Sequence, residues 1–138
     1  MEIADAVPFV SGRHKGILAT VKRDGRPHLS NISYGWDDGT IGISITADRV
    51  KTRNVGRDPR TSLHVPGDDF WTWVVVEADA ELGPVAAEPG DAGTTALRAL
   101  YELIAGPHPD WDDYDRAMIA DRRQVLTLHP VGVYGMGI

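Results

Sequence analysis

Ser44-Ile45-Thr46-Ala47-Asp48-Arg49-Val50-Lys51-Thr52-Arg53-Asn54-Val55-Gly56-Arg57-Asp58-Pro59-Arg60 is the stretch on which the reading of this chain turns. Arg49, Lys51, Arg53, Arg57 and Arg60 concentrate five of the 14 Lys and Arg residues in a protein whose formal net charge is −6. An alternating apolar run ends at Thr46, Asp48 is placed to cap a helix, and Gly56 with Pro59 supplies stop signals. The segment therefore reads as a strand feeding a short helix. A helix start exposes unpaired backbone N–H groups, and cations on the entering loop add full charges to that partial one; together they suit an anion, most often phosphate. The alternative is a surface helix whose cations pair with the surplus Asp and Glu, each pair worth about 0–1 kcal/mol.

Upstream, Gly16 to Lys22 reads as a strand, Arg23-Asp24-Gly25-Arg26 as its turn, and Pro27 to Trp36 as the returning strand, since Asp-Gly between two apolar runs is a strong hairpin signal. Asp37-Asp38-Gly39 turns the chain into Thr40–Thr46, whose Ile residues at odd positions share one face. The expectation is a three-stranded meander entering the basic helix. Residues 1–14 hold Pro8 and Gly12 and allow only a short, interrupted helix.

Downstream, Thr61 to Val65 forms a short strand. Phe70 to Leu82 reads as a long one, with Trp71, Trp73 and Val75 on one face and Val74, Val76 and Ala78 on the other, as in a barrel wall that also meets a partner subunit. Residues 83–91 form a loop. Leu97, Leu100, Tyr101 and Ile104 recur at helical spacing up to Gly106-Pro107, and Pro109 to Tyr114 starts another helix with acids in its first turn. Gln124 to Leu128 and Val131 to Tyr134 close the pattern as two strands. Six or seven antiparallel strands with a few helices make one mainly β (α+β) domain over residues 1–138, an antiparallel barrel rather than a doubly wound sheet.

Composition narrows the function. Hydrophobic residues make up 42% of the chain, which argues against disorder, and the absence of Cys excludes disulfides, thiolate metal sites and a Cys nucleophile. No run approaches the roughly 18 apolar residues of a membrane span and no signal peptide is legible, so a cytoplasmic protein is expected. One short basic stretch on an acidic chain fits a small charged ligand better than nucleic acid. The five His residues show no paired metal-ligand spacing, no G-x-S-x-G elbow or Walker loop occurs, and Asp110, Asp112, Asp113 and Asp115 read as helix-start acids. Neither a metal nor a catalytic residue is assigned. The polar strand positions Ser30, Asn31, Ser33, Ser44 and Thr46 lie close to the cations, and are read either as ordinary cross-strand partners or as the lining of a groove for a flat heterocycle. Tyr34, His28 and His64 are the side chains able to supply a proton.

Gly16 to Thr20, Asp24-Gly25-Arg26-Pro27, Leu29-Ser30-Asn31, Lys51-Thr52-Arg53-Asn54 followed by Arg57-Asp58-Pro59-Arg60, and Trp111 through Arg123 resemble the pyridoxamine 5′-phosphate oxidase-like split-barrel superfamily, most closely its actinobacterial deazaflavin branch that binds coenzyme F420. The resemblance implies a split β-barrel of the FMN-binding type, and a homodimer with two cofactor grooves at the subunit interface. It implies that Arg49, Lys51 and Thr52, with Arg53 and Arg57, hold the cofactor phosphate, and that Ser30, Asn31, Ser44, Ile45, Thr46 and Ala47 line the ring. Trp71 and Trp73 would lie near the ring or interface, and Arg122 or Arg123 would reach the partner's groove or the cofactor's acidic tail. The implied activity is a coenzyme F420-dependent reduction of a small, planar, unsaturated substrate. The alternatives are an FMN-dependent enzyme of the same fold and a non-catalytic cofactor carrier.

Overall fold

Ile41, Ile43 and Ile45 are at most 1% exposed while Gly42, Ser44 and Thr46 are half-buried, so Thr40–Thr46 is a strand with one core face. The computed structural model describes residues 1–138 and makes this strand β4. The full order is α1 (Ile3–Ser11), β1 (Lys15–Val21), β2 (Pro27–Ser33), β3 (Gly35–Asp37), β4, α2 (Val50–Arg57), β5 (Arg60–Pro66), β6 (Trp73–Leu82), α3 (Ala92–Ala105), α4 (Trp111–Ala120) and β7 (Arg123–Met136). All seven strands form one antiparallel sheet in the order β2-β1-β5-β6-β7-β4-β3. The mainly β, split-barrel architecture read from the sequence is the one observed.

The sheet curls around Leu18, Leu63, Val65, Val74, Val76, Leu126, Leu128 and the three Ile of β4. Helix α1 closes one end, with Ala6 and Val10 in the core and the Tyr34 hydroxyl donating to Val10 O at 2.6 Å. Helices α3 and α4 cover β3, β4 and β7 from outside, where a Cβ at Gly42 would stand 3.0 Å from Leu100 Cδ1; glycine lets the helix approach that closely. Asp91 caps α3 by accepting from Thr94 N, and Arg98 clamps the buried Asp115 of α4 at 2.9 and 2.5 Å. No helix is long and apolar enough to cross a membrane.

Several expectations need correction. The meander is not continuous: β2 and β3 are joined only through Tyr34, yet they are opposite edges of the sheet, because β2 pairs with β1 alone and β3 with β4 alone. Helix α2 begins at Val50 with Arg49 as its N-cap, and the Asp48 carboxylate instead accepts from Arg122 at 3.1 Å. The strand assigned from Phe70 starts at Trp73, since Asp69 Oδ1 accepts from Trp71 N and holds residues 69–72 in a turn. The two closing strands are one 14-residue strand, whose passage through Pro130 is accommodated by an irregularity opposite Glu77 and Ala78 that leaves Val131 unpaired. Residues 3–11 are one helix with Pro8 inside.

Candidate functional site

The split between the sheet's two edges is where the basic segment lies. On β2, His28 and Ser30 pair with Thr20 and Leu18 and so share the core-facing side of β1, whereas Ser44 and Thr46 occupy the side of β4 opposite its buried Ile residues. Helix α2 crosses this gap. Two strand faces and a helix start thus enclose a cleft of about 360 Å3 lined by His28, Ser30, Ser44, Ile45, Thr46, Arg49, Val50, Lys51 and Arg123.

Its charge has one sign. Arg49 and Lys51 enter from α2 and Arg123 from β7, and no Asp or Glu lines the cleft. Burial pulls the Lys51 ammonium below its ordinary range, and repulsion from Arg123 and then Arg49 adds to the effect. Lys51 Nζ is 3.5 Å from Ser30 Oγ, and Arg123 Nη1 is 3.4 Å from both the hydroxyl and the carbonyl of Ser44.

Two nitrogens of this cleft are shut off from solvent without a hydrogen-bond partner: Arg123 Nε and His28 Nδ1. The nearest carboxylate to Arg123 Nε, that of Asp121, is 3.6 Å away, beyond hydrogen-bond reach. An Arg Nε–H is always a donor, so its unsatisfied state calls for an acceptor oxygen. The site fits the anionic end of a phosphate-bearing cofactor on three grounds: cation charge, a lining that holds no carboxylate, and orphaned polar atoms.

Six of the residues that the resemblance assigns to cofactor phosphate or ring meet here, Ser30, Ser44, Ile45, Thr46, Arg49 and Lys51, together with His28 and Arg123. Others do not. Asn31 points to the opposite side of β2 from Ser30, into a separate depression with Lys15 and Ile17. Thr52 is buried and its hydroxyl donates to Thr46 O at 2.7 Å, which ties the helix start to the end of β4. Ala47 N donates to Arg122 O. Arg53 turns back to donate to Asp48 O, and Arg57 donates to Val21 O at 2.6 Å and Asn54 Oδ1 at 3.1 Å. Trp73 stacks on His64 with centroids 5.8 Å apart, and Trp71 lies 69% exposed on the β5–β6 turn; neither lines the cation cleft.

The sequence reading underrated two residues. Arg123 lines its own chain's cleft, because β7 pairs with β4 in the register Thr46↔Arg123; its spacing from Lys51 carries no local signal. Asn54 is only 4% exposed and donates to Thr20 Oγ1 at 3.0 Å, so the basic helix is locked to β1 from beneath. Of the three proton-bearing candidates, Tyr34 is fully buried and donates to Val10 O, and desolvation pushes its hydroxyl well above the ordinary range. His64 is outside the cleft and His28 inside it.

A larger cleft of about 600 Å3 lies along β1, β5 and β6. Arg60 lines it together with Glu77 and Asp79, and is itself held by Asp58 at 2.7 and 3.0 Å. Mixed charge and a committed cation give that cleft no selectivity for an anion, so the smaller one is the functional candidate.

Comparison with known proteins identifies the fold and the family. The conserved hypothetical protein Rv2991 of Mycobacterium tuberculosis has a similar structure with a TM-score of 0.74 at 29% identity, over 99% of this chain and 84% of that one. A structure described as an F420 reductase matches with a TM-score of 0.69 at 24% identity, over 91% and 94% of the two chains. HutZ of Vibrio cholerae, described as a heme storage protein, shares the fold with a TM-score of 0.71 at 16% identity, over 100% and 97%. The model of the family described as pyridoxamine 5′-phosphate oxidase matches residues 4–137, nearly the whole chain, and the protein belongs to that family.

Proposed function

We propose that this protein is a coenzyme F420-dependent reductase, passing a hydride from the reduced coenzyme to a small, planar, unsaturated substrate. The observation that carries the proposal is the cleft between β2 and β4, in which Arg49, Lys51 and Arg123 converge with no carboxylate among them. Coenzyme F420 combines a deazaflavin with a phosphodiester and an acidic tail, and a positive cleft on a chain of net charge −6 would select and steer such a molecule. Likeness to the F420 reductase structure supports the same reading.

The deazaflavin supplies the hydride chemistry when bound; the chain contributes position and electrostatics. Lys51, Arg49 and Arg123 would hold the phosphodiester, and Ser30, Ser44 and Thr46 would present hydroxyls along the cleft. Thr52 and Asn54 keep the helix start in place through their bonds to Thr46 and Thr20. A volume of about 360 Å3 suits the phosphate-bearing end of the coenzyme, so the ring would extend beyond one chain's cleft.

We therefore also propose a homodimer that covers the ring. Part of the sheet face opposite the core is apolar: Ile17, Val75 and Tyr134 stand with His64 in one cross-strand row, and Leu29 and Val131, each 63% exposed, flank the charged Arg60, Glu77 and Asp79 of the neighbouring cleft. Such a face on a chain of this size suits a second copy. A cytoplasmic location follows from the proposed coenzyme.

Titration of the purified protein with coenzyme F420 and with FMN tests the cofactor. Saturable coenzyme F420 binding is expected; tight FMN binding without it would reject the proposal in favour of the FMN-dependent alternative. Oxidation of reduced coenzyme by a panel of quinones, enones and nitro compounds then separates a reductase from a carrier, which would bind and not turn over.

A further inference from the structure

Of the side-chain atoms sealed from solvent without a partner, two lie in the cation cleft, Arg123 Nε and His28 Nδ1, and the second belongs to an imidazole. The charged residues that line the cleft are all positive, Arg49 and Lys51 on α2 and Arg123 on β7, with Arg57 further along the same helix. Strand β1 offers uncharged Thr20 opposite His28, and β4 offers Ser44 and Thr46. Neither Asp48, paired with Arg122, nor Asp121, which stands 3.6 Å from Arg123 Nε, lines the cleft. An oxyanion placed among these cations supplies the counter-charge that favours a protonated ring beside it.

We propose that His28 is a proton-linked arm of this anion site. As an oxyanion enters, the imidazole takes a proton from solvent and donates its Nδ1–H to the anion; as the anion leaves, the proton returns to solvent. This rests on the cleft being an anion site and not on which coenzyme delivers the anion. Affinity is then greatest at pH values where the free ring is already protonated, and it declines as pH rises through the anion-bound ring's own titration.

Sulfate is a suitable probe, because it does not titrate in this range. In the full-length protein, the ring resonances of His28 are identified by their loss in His28→Gln and followed by NMR from pH 5 to 9, in sulfate and in chloride at equal ionic strength. Sulfate is expected to raise the His28 midpoint by about half a pH unit or more, while those of His14, His64, His108 and His129 stay in place. Sulfate affinity, read from the Lys51 and Thr52 amide signals, is expected to fall about threefold or more from pH 5.5 to 8 in the native chain and to stay flat in His28→Gln. An unmoved His28 midpoint, or parallel pH profiles in the two proteins, overturns the inference whether or not coenzyme F420 binds. A moved midpoint in a protein that ignores coenzyme F420 overturns the coenzyme reading and supports the proton-linked site.

Discussion

Lys51 Nζ, on the first turn of α2, stands 3.5 Å from Ser30 Oγ on β2, a residue 21 positions earlier on an edge strand that does not pair with β4. The contact spans the split of the sheet. It brings a cation from one side of the cleft to a hydroxyl on the other, and it fixes where an incoming anion would displace or share a donor.

Replacing Lys51 by Ala should weaken binding of a phosphate-bearing coenzyme by about 1.5–3 kcal/mol, roughly 10- to 150-fold, the usual scale of a charge-assisted hydrogen bond. Stability should change little, because the half-buried ammonium is held among like charges. Isothermal titration and a thermal melt on the same variant separate the two effects.

Tyr34→Phe removes a bond that ties the chain between β2 and β3 to the end of α1. Val10 O also accepts from Arg13 N at 3.2 Å, so the carbonyl is not left bare. The expected loss is about 1 kcal/mol by urea denaturation, with coenzyme affinity unchanged.

Acid should destabilise the helical layer first. Asp115 is held below the usual carboxylate range by its hydrogen bonds to Arg98, and Asp91 by those it accepts from the backbone N–H of Thr94, Ala87 and Glu88. For a carboxylate depressed in the folded state, the stabilisation is present above its unfolded value near 4 and is lost as pH falls through the folded one. Stability measured from pH 5 down to 2 should therefore drop, and Asp115→Asn, less stable at pH 7, should show a shallower acid limb.

Leu29→Asp and Val131→Asp place charges at exposed apolar positions on the sheet face opposite the core. Light scattering should give twice the 15.0 kDa chain mass for the native protein and the single mass for the double variant. A native monomer would remove the proposed cover of the coenzyme ring.

What the sequence made legible was local. The Thr40–Thr46 alternation gives a strand whose observed bounds match, and the Asp24-Gly25 hairpin gives a first arm displaced by one residue and a second that starts at Pro27 as read, because period and turn chemistry are written in neighbouring positions. The edge assignment was not legible: Pro27 to Trp36 reads as one strand, and only the pairing of β7 with β4 and of β5 with β1 shows that the chain crosses the split at Tyr34. The same long-range pairing brings Arg123 to Lys51. Trp71 was misplaced for a different reason, since an Asp69 side chain capturing a backbone N–H competes with an apolar alternation that would otherwise extend the strand.

The most direct measurement is a crystal structure of the protein with coenzyme F420 bound. The account predicts phosphodiester oxygens within about 3 Å of Lys51 Nζ and Arg123 Nε, between β2 and β4. Phosphate found instead in the Arg60 cleft or beside Trp71, with the three cations of the split still facing water, would contradict it.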